Sequence, residues 1–430
     1  MNDAAIYALE ALKKAGADKA TSCVSKSRKD AFGVLANAFA DLRTTFSDSL
    51  TLKALVGGRN GVTVINKLDK ASIDEAVQNC ITLAKSAEPD EAEDIAPLVE
   101  NKDFFQPDAK GADMDGLFNR SKEYLQQVRD EFPKIMIEEF TSSYNHGEQT
   151  YVNSNGVCFN TRGEWYTFQS MFVGKDGEKS SSFNYDGANL KFLTDPFMDA
   201  GMHRQLLSEA EKSVSTRMVE EKFTGKIIVT PACDDILWQT LMYNFLSDRP
   251  LIEATSRWKD ALNTQVTDTK LTLRATPRSP HVVATPCFTA AGYEIKDVDF
   301  IKDGILKSFA LSLYGSNKTG KPRADTAASH IQVAAGNTPL AEIIKGVDRG
   351  ILLNRFSGGS PGASGDISGV AKNSFLIENG KVTDALQETM IAFNILDALK
   401  SISAISKEQI TNGVTQLPWC CIDGITISGK

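Results

Sequence analysis

The stretch from Gly346 to Leu399 constrains the fold more than any other. Within it, Gly350-Ile-Leu-Leu-Asn-Arg-Phe356 is a short apolar run bounded by turn formers, which is how a strand covered on both faces reads. A glycine-rich segment, 357–369, follows. Next comes a second strand, Lys372-Asn-Ser-Phe-Leu-Ile377, closed by Asn379-Gly380, the strongest short-range signal for a tight hairpin turn. Gly358, Gly359, Gly362 and Gly365 leave little side chain between Phe356 and Asp366. Bare backbone of this kind can pair with an extended chain at a sheet edge, or it can be a packed turn whose positive φ angles only glycine tolerates.

At 430 residues the chain exceeds one ordinary core, and its pattern predicts an α+β protein. An N-terminal α+β region is expected over 1–100, and a central helix with antiparallel strands, packed on the first region, over 101–222. A β-rich C-terminal domain with few helices is expected over 223–430. Helical spacing marks 4–15 and 115–131, and 195–210 is expected to be helical as well. Ser72-Ile-Asp-Glu75 matches a capping box opening a helix to about residue 87. Strands are expected over 20–24, 36–46 and 50–65, with turns at Gly57-Gly58 and Asn60-Gly61, and the acidic segment 88–110 reads as a connector. A meander is expected over 135–144, 148–152, 157–173 and 180–185. In the second half, strand 226–230 leads into an apolar helix, 234–246, with Asp234 and Asp235 favourable at its positive end. Further strands are expected over 282–285, 297–302 and 305–314.

The charge balance of −8, with no basic cluster, argues against a nucleic-acid partner. No apolar run approaches the roughly 20 residues of a membrane span, and the opening residues lack a leader pattern, so a cytoplasmic location is expected. Seven scattered cysteines fit free thiols. For adjacent Cys420 and Cys421, one thiol is expected inside and one outside.

The order Gly365-Asp366-Ile367-Ser368, Ile377-Glu378-Asn379-Gly380, then Glu388-Thr-Met-Ile-Ala392 with Asn394 and Asp397, resembles the PmbA/TldD family of metallopeptidase-related proteins, also known as modulators of DNA gyrase. The likeness extends to the opening Ala8-Leu-Glu-Ala-Leu-Lys-Lys-Ala-Gly-Ala-Asp18 and to the closing segment 418–429. It implies that the helix after the second-half strand carries H-E-x-x-x-H in catalytic members. Imidazoles there hold zinc, the metal lowers the pKa of bound water, and the carboxylate takes its proton. In register, this chain has Trp238 and Gln239 at the His-Glu pair and Tyr243 at the second His. Indole only donates, phenol is a poor zinc ligand, and an amide is no base. His146, His203, His281 and His330 are the only histidines, and none lies on this helix. The family's cysteine ligand also has no counterpart over 401–417.

The resemblance therefore implies the PmbA (TldE-like) branch, with no catalytic residue and no metal in this chain. Zinc is expected only in a TldD-like partner, in a heterodimer or a homodimer acting on unfolded or extended peptides. Gly358, Gly359, Gly365, Asp366 and Ser368 are the candidate peptide or partner contacts. The alternative is a self-sufficient hydrolase with its site near Asp366 and Ser368, although no G-x-S-x-G elbow and no obvious base accompany them. Gly315-Ser-Asn-Lys-Thr-Gly-Lys321 nearly matches a phosphate-binding loop, but Pro322 replaces the required hydroxyl, so an exposed loop is expected.

Overall fold

The structure, a computed structural model, describes residues 2–97, 101–233, 235–326, 328–359 and 361–429. It is an α+β protein built on two sheets. In the first, strands Lys19–Leu35 and Ala38–Val56 form one long hairpin, closed by Ala36 and Asn37 at φ 47° and 66°. The strand expected over 20–24 thus runs on to Leu35, and that expected over 36–46 is continuous with the first part of 50–65, because backbone pairing persists through the polar run 25–30, which has no apolar alternation. Gly57-Gly58 is the next turn and leads into Arg59–Ile65, so Asn60-Gly61 lies within a strand and is not a turn. Gly61 is required there by packing. A Cβ would run into the Cys80 carbonyl and lie 2.5 Å from the Ala84 nitrogen of helix Lys70–Ser86. That helix opens earlier than the capping box indicated: Asp69 is its cap, accepting from the Ser72 amide at 3.0 Å.

The connector holds a short strand, Lys102–Phe105, parallel to Cys158–Asp176. Ile135–Asn153 and Cys158–Asp176 pair over their whole length, and Asn184–Leu190 adds a further strand. Helix Met114–Glu131 packs on one face. The expected helix over 195–210 is a short turn, Phe197–Asp199, followed by His203–Lys212, with Gly201 at φ +61° between them.

The second sheet centres on Gln416–Ser428, antiparallel to Phe223–Val229, which runs parallel to Arg349–Leu353. Phe375–Glu378 follows on the far side and turns at Asn379-Gly380 (φ 49° and 73°) into Lys381–Leu386, as that dipeptide predicts. Both faces of this sheet are buried, and alternate residues enter different cores. Ile227, Ile351, Leu376 and Cys420 join one. Ile228, Leu352, Ile377 and Cys421 join the other, together with Tyr124, Phe140 and Phe168 from the first half. Cys420 and Cys421 are therefore both buried, correcting the expectation that one would be exposed.

Several expectations fail where local polarity misled. Residues 282–285 form no strand, and the strand expected over 305–314 is only Ile305–Leu306. Helix Leu313–Thr319 follows, capped by Ser312 and stopped by Gly320 at φ +67°, so the glycine-lysine segment forms a helix and not a phosphate cradle. The described residues contain no helix long and apolar enough to cross a membrane.

Replacing Gly61 by Ala should cost about 1–3 kcal/mol of stability, the usual penalty for forcing a methyl into a packed contact. Urea unfolding of the variant measures this; an unchanged midpoint would show that the helix can shift aside.

Candidate functional site

The strand Phe223–Val229 delivers the chain to a short turn, Pro231–Cys233, and then to a helix wound mainly as π-helix, over Asp235–Gln239 and Met242–Leu246. Asp234 lies outside the described residues, and with it the expected acid pair. The wide winding is visible at the helix end, where the Ser247 amide donates to the Met242 carbonyl at 3.0 Å. Ile236, Leu237, Trp238, Leu241, Met242, Phe245 and Leu246 all enter the core. What remains outward is Gln239 and Tyr243, the latter 72% exposed, with Thr240 and Asn244 half-buried.

These four line a groove of about 450 Å³, together with Ile236, Phe356, Ser357, Gly358, Gly359, Pro361 and Ile367. The structure thus brings Gln239 and Tyr243 together with the first part of the glycine segment. It does not bring Trp238 there. That indole is 3% exposed and packed in the core. On a π-helix, whose hydrogen bonds span i to i+5, residues four and five apart both fall on one side. On the groove face that spacing is met by Gln239 and Asn244, with Thr240 between them. Sequence periodicity could not show this, because it assumes the α-helical phase.

The wall opposite the helix is the strand Arg355–Gly358. It pairs with Asp366–Lys372 on one side, and among the described residues no strand pairs with its other edge. The glycines divide into two kinds. Gly358 and Gly369 lie under the Phe356 ring, which a Cβ on either would meet at 2.5 Å. Gly365 has φ +83° and would crowd Ile395 and Phe245. Gly359 and Gly362 face open space and have no such requirement. Asn244 Nδ2 donates to the Pro361 carbonyl at 2.9 Å, tying helix to loop, a contact that no sequence motif marks. Ser360 lies outside the described residues.

Asp366 and Ser368 are not in a loop; both are exposed on the strand Asp366–Lys372 and neither lines the groove, although Ile367 between them does. Asn394 Nδ2 donates to Asp366 Oδ1 at 2.9 Å and holds its carboxyl below the usual range, with Ser364 and Arg257 adding to this. No histidine lines the groove. His203 is buried against the Tyr124 hydroxyl at 2.7 Å, and His330 is buried beside Ser329. Among the described residues no three His, Cys, Asp or Glu side chains are grouped to hold a metal. The groove offers two side-chain amides, the hydroxyls of Thr240 and Ser357 and one phenol, a donor set that does not fit zinc.

Comparison with known proteins bears on this arrangement. Residues 223–429, which include the groove, match the family model described as the PmbA/TldA metallopeptidase C-terminal domain. The "Metalloprotease PmbA homolog" of Haemophilus influenzae is 22% identical over the full chain and 96% of its own length. A "Zinc metalloprotease TldD homolog" of Saccharolobus solfataricus is 26% identical over 27% of this chain and 29% of its own. In fold, TldE from Thermococcus kodakarensis superposes with a TM-score of 0.87 at 18% identity, over 99% of this chain and all of that one. The family-model match over residues 223–429 and the full-length likeness to PmbA proteins together support the PmbA/TldD family for this chain.

Proposed function

We propose that this chain is a non-catalytic, TldE-like subunit that pairs with a zinc-bearing TldD-like homologue and holds an extended peptide, or a segment of that partner, in the groove. The observation that carries this reading is the pairing of an open strand edge, Arg355–Gly358, with a helix face, Gln239 to Asn244, that has no imidazole, thiol or carboxylate. The edge supplies backbone donors and acceptors at strand spacing, and the exposed Tyr243 ring supplies an apolar flank for a side chain of the added strand. No imidazole, thiol or carboxylate lines the groove to activate water or the Thr240 and Ser357 hydroxyls, so on this reading hydrolysis falls to the partner. The alternative of a hydrolase centred on Asp366 and Ser368 has less support. The Asp366 carboxyl is engaged by Asn394, and no described hydrogen bond joins Ser368 to a base.

The register of the lost zinc motif, on this reading, is Gln239-Thr240 with Asn244. The purified chain should bind no stoichiometric zinc and cleave no unfolded peptide; one zinc per chain with chelator-sensitive proteolysis would overturn the proposal. The triple variant Gln239→His, Thr240→Glu, Asn244→His should take up zinc, measured by calorimetry, without gaining turnover, because a third ligand and oriented outer partners are lacking. The shifted variant Trp238→His, Gln239→Glu, Tyr243→His should instead lose about 3 kcal/mol or more by emptying the core around the indole. If the shifted variant alone binds zinc, the register is wrong.

Gly359→Val and Tyr243→Ala should melt within about 3 °C of the wild type, a shift corresponding to about 1 kcal/mol in a chain of this kind. Both should weaken capture of a zinc-bearing partner or of an extended peptide. Gly365→Val should melt much earlier, because of its positive φ and the close Ile395 and Phe245 side chains. Equal losses of stability at 359 and 365 would mark the whole segment as structural.

A further inference from the structure

The strand Ala38–Val56 is paired on both sides over only part of its length. Residues 50–56 pair with Arg59–Ile65, but 38–49 pair with Lys19–Leu35 alone, and among the described residues no strand or bridge takes their outer side. Every residue from Ala38 to Ser47 is exposed. Open edges are commonly blunted by lysine or proline, and this stretch has neither. The register shifts after Gly33, so that Asp41 lies opposite Gly33, Phe39 opposite Val34, and Ala40 is left over as a bulge. The bulge brings Phe39 onto the face that carries Leu42 and Phe46, which are 64% and 72% exposed. The Phe39 ring packs on Phe118 and Phe32, with centroids 4.9 and 6.4 Å apart, and Leu42 is the cross-strand neighbour of Phe32. The opposite face carries Asp41 and Arg43, and neither side chain has an ionic or hydrogen-bonding partner among the described residues.

We propose that this edge pairs with the same edge of a second copy of the chain, antiparallel about a twofold axis at Leu42, joining the first sheets of two protomers into one. An axis normal to the sheet requires one residue to face its own copy. With Leu42 there, Asp41 of each copy stands opposite Arg43 of the other. Two ion pairs then form on one face, between residues whose Cβ atoms are about 5 Å apart. Because Ala40 is bulged out, Phe39 falls opposite Thr44 of the other copy, between its Leu42 and Phe46, and the two apolar stripes interleave on the other face. The registers on either side fail. An axis at Asp41 sets two aspartates face to face, and one at Arg43 two arginines. An axis at Thr44 brings Asn37 of the second copy opposite Leu50, which already pairs with Ile65. This edge is on the first sheet and the groove is on the second, so the inference stands whatever the groove holds.

Light scattering of the purified full chain tests this, and should give twice the chain mass at micromolar concentration. Asp41→Arg and Arg43→Asp each set like charges together at both contacts and should raise the dimer dissociation constant about tenfold. The double variant Asp41→Arg, Arg43→Asp restores opposite charges at both contacts and should recover the wild-type dimer. Both positions are exposed, so all three variants should melt with the wild-type monomer fold intact. A monomeric wild-type chain overturns the proposal, including one that dimerises only when a zinc-bearing homologue is added. So does a dimer indifferent to the single reversals, or a double variant as weak as either of them.

Discussion

The second sheet is covered on both faces, and the rest of the structure depends on that. Each central strand must supply apolar side chains at every position, because successive residues point into different cores. Ile227, Ile228 and Val229 show the requirement in one strand, and Ile351, Leu352 and Leu353 in the next. One core is closed by the helix that runs from Asp235 to Leu246. The other is closed by the first half of the chain, through Tyr124, Phe140, Phe168 and Leu206. The two halves therefore share a hydrophobic interior and do not merely touch. The groove lies beside the first of these cores, with Ile236 and Ile367 belonging to both.

What the sequence made legible follows the same rule. The apolar run at 350–353 and the Asn379-Gly380 turn could be read because burial on both faces and positive φ angles leave unambiguous residue choices. The long first hairpin could not, because Ser25 to Ala31 are held by ladder hydrogen bonds to neighbours on each side and carry no apolar alternation. The helix over the groove is recognisable as apolar, but its π winding, which α-helical periodicity does not anticipate, decides that Trp238 enters the core while Gln239 and Tyr243 face the groove. The buried hydrogen bond that Asn354 Nδ2 donates to Glu209 joins positions 145 residues apart and leaves no local trace.

The groove separates residues that hold the fold from residues that do not. Phe356 rests on Gly358 and Gly369, and Gly365 is fixed by its backbone angle, whereas Gly359, Gln239 and Tyr243 face outward. Side chains on the outward set can change their chemistry with little effect on packing. The chemistry of the groove can therefore change while the interior stays the same.

The paired thiols carry a last consequence. Cys420 and Cys421 sit in the same strand but in different cores, each at 2% exposure or less, and burial raises both above the ordinary thiol range. A reagent that alkylates thiolates reaches neither while the sheet is intact. The rate at which each one reacts then reports the opening of its own face, so one dipeptide lets mass spectrometry time the exposure of two cores separately during unfolding.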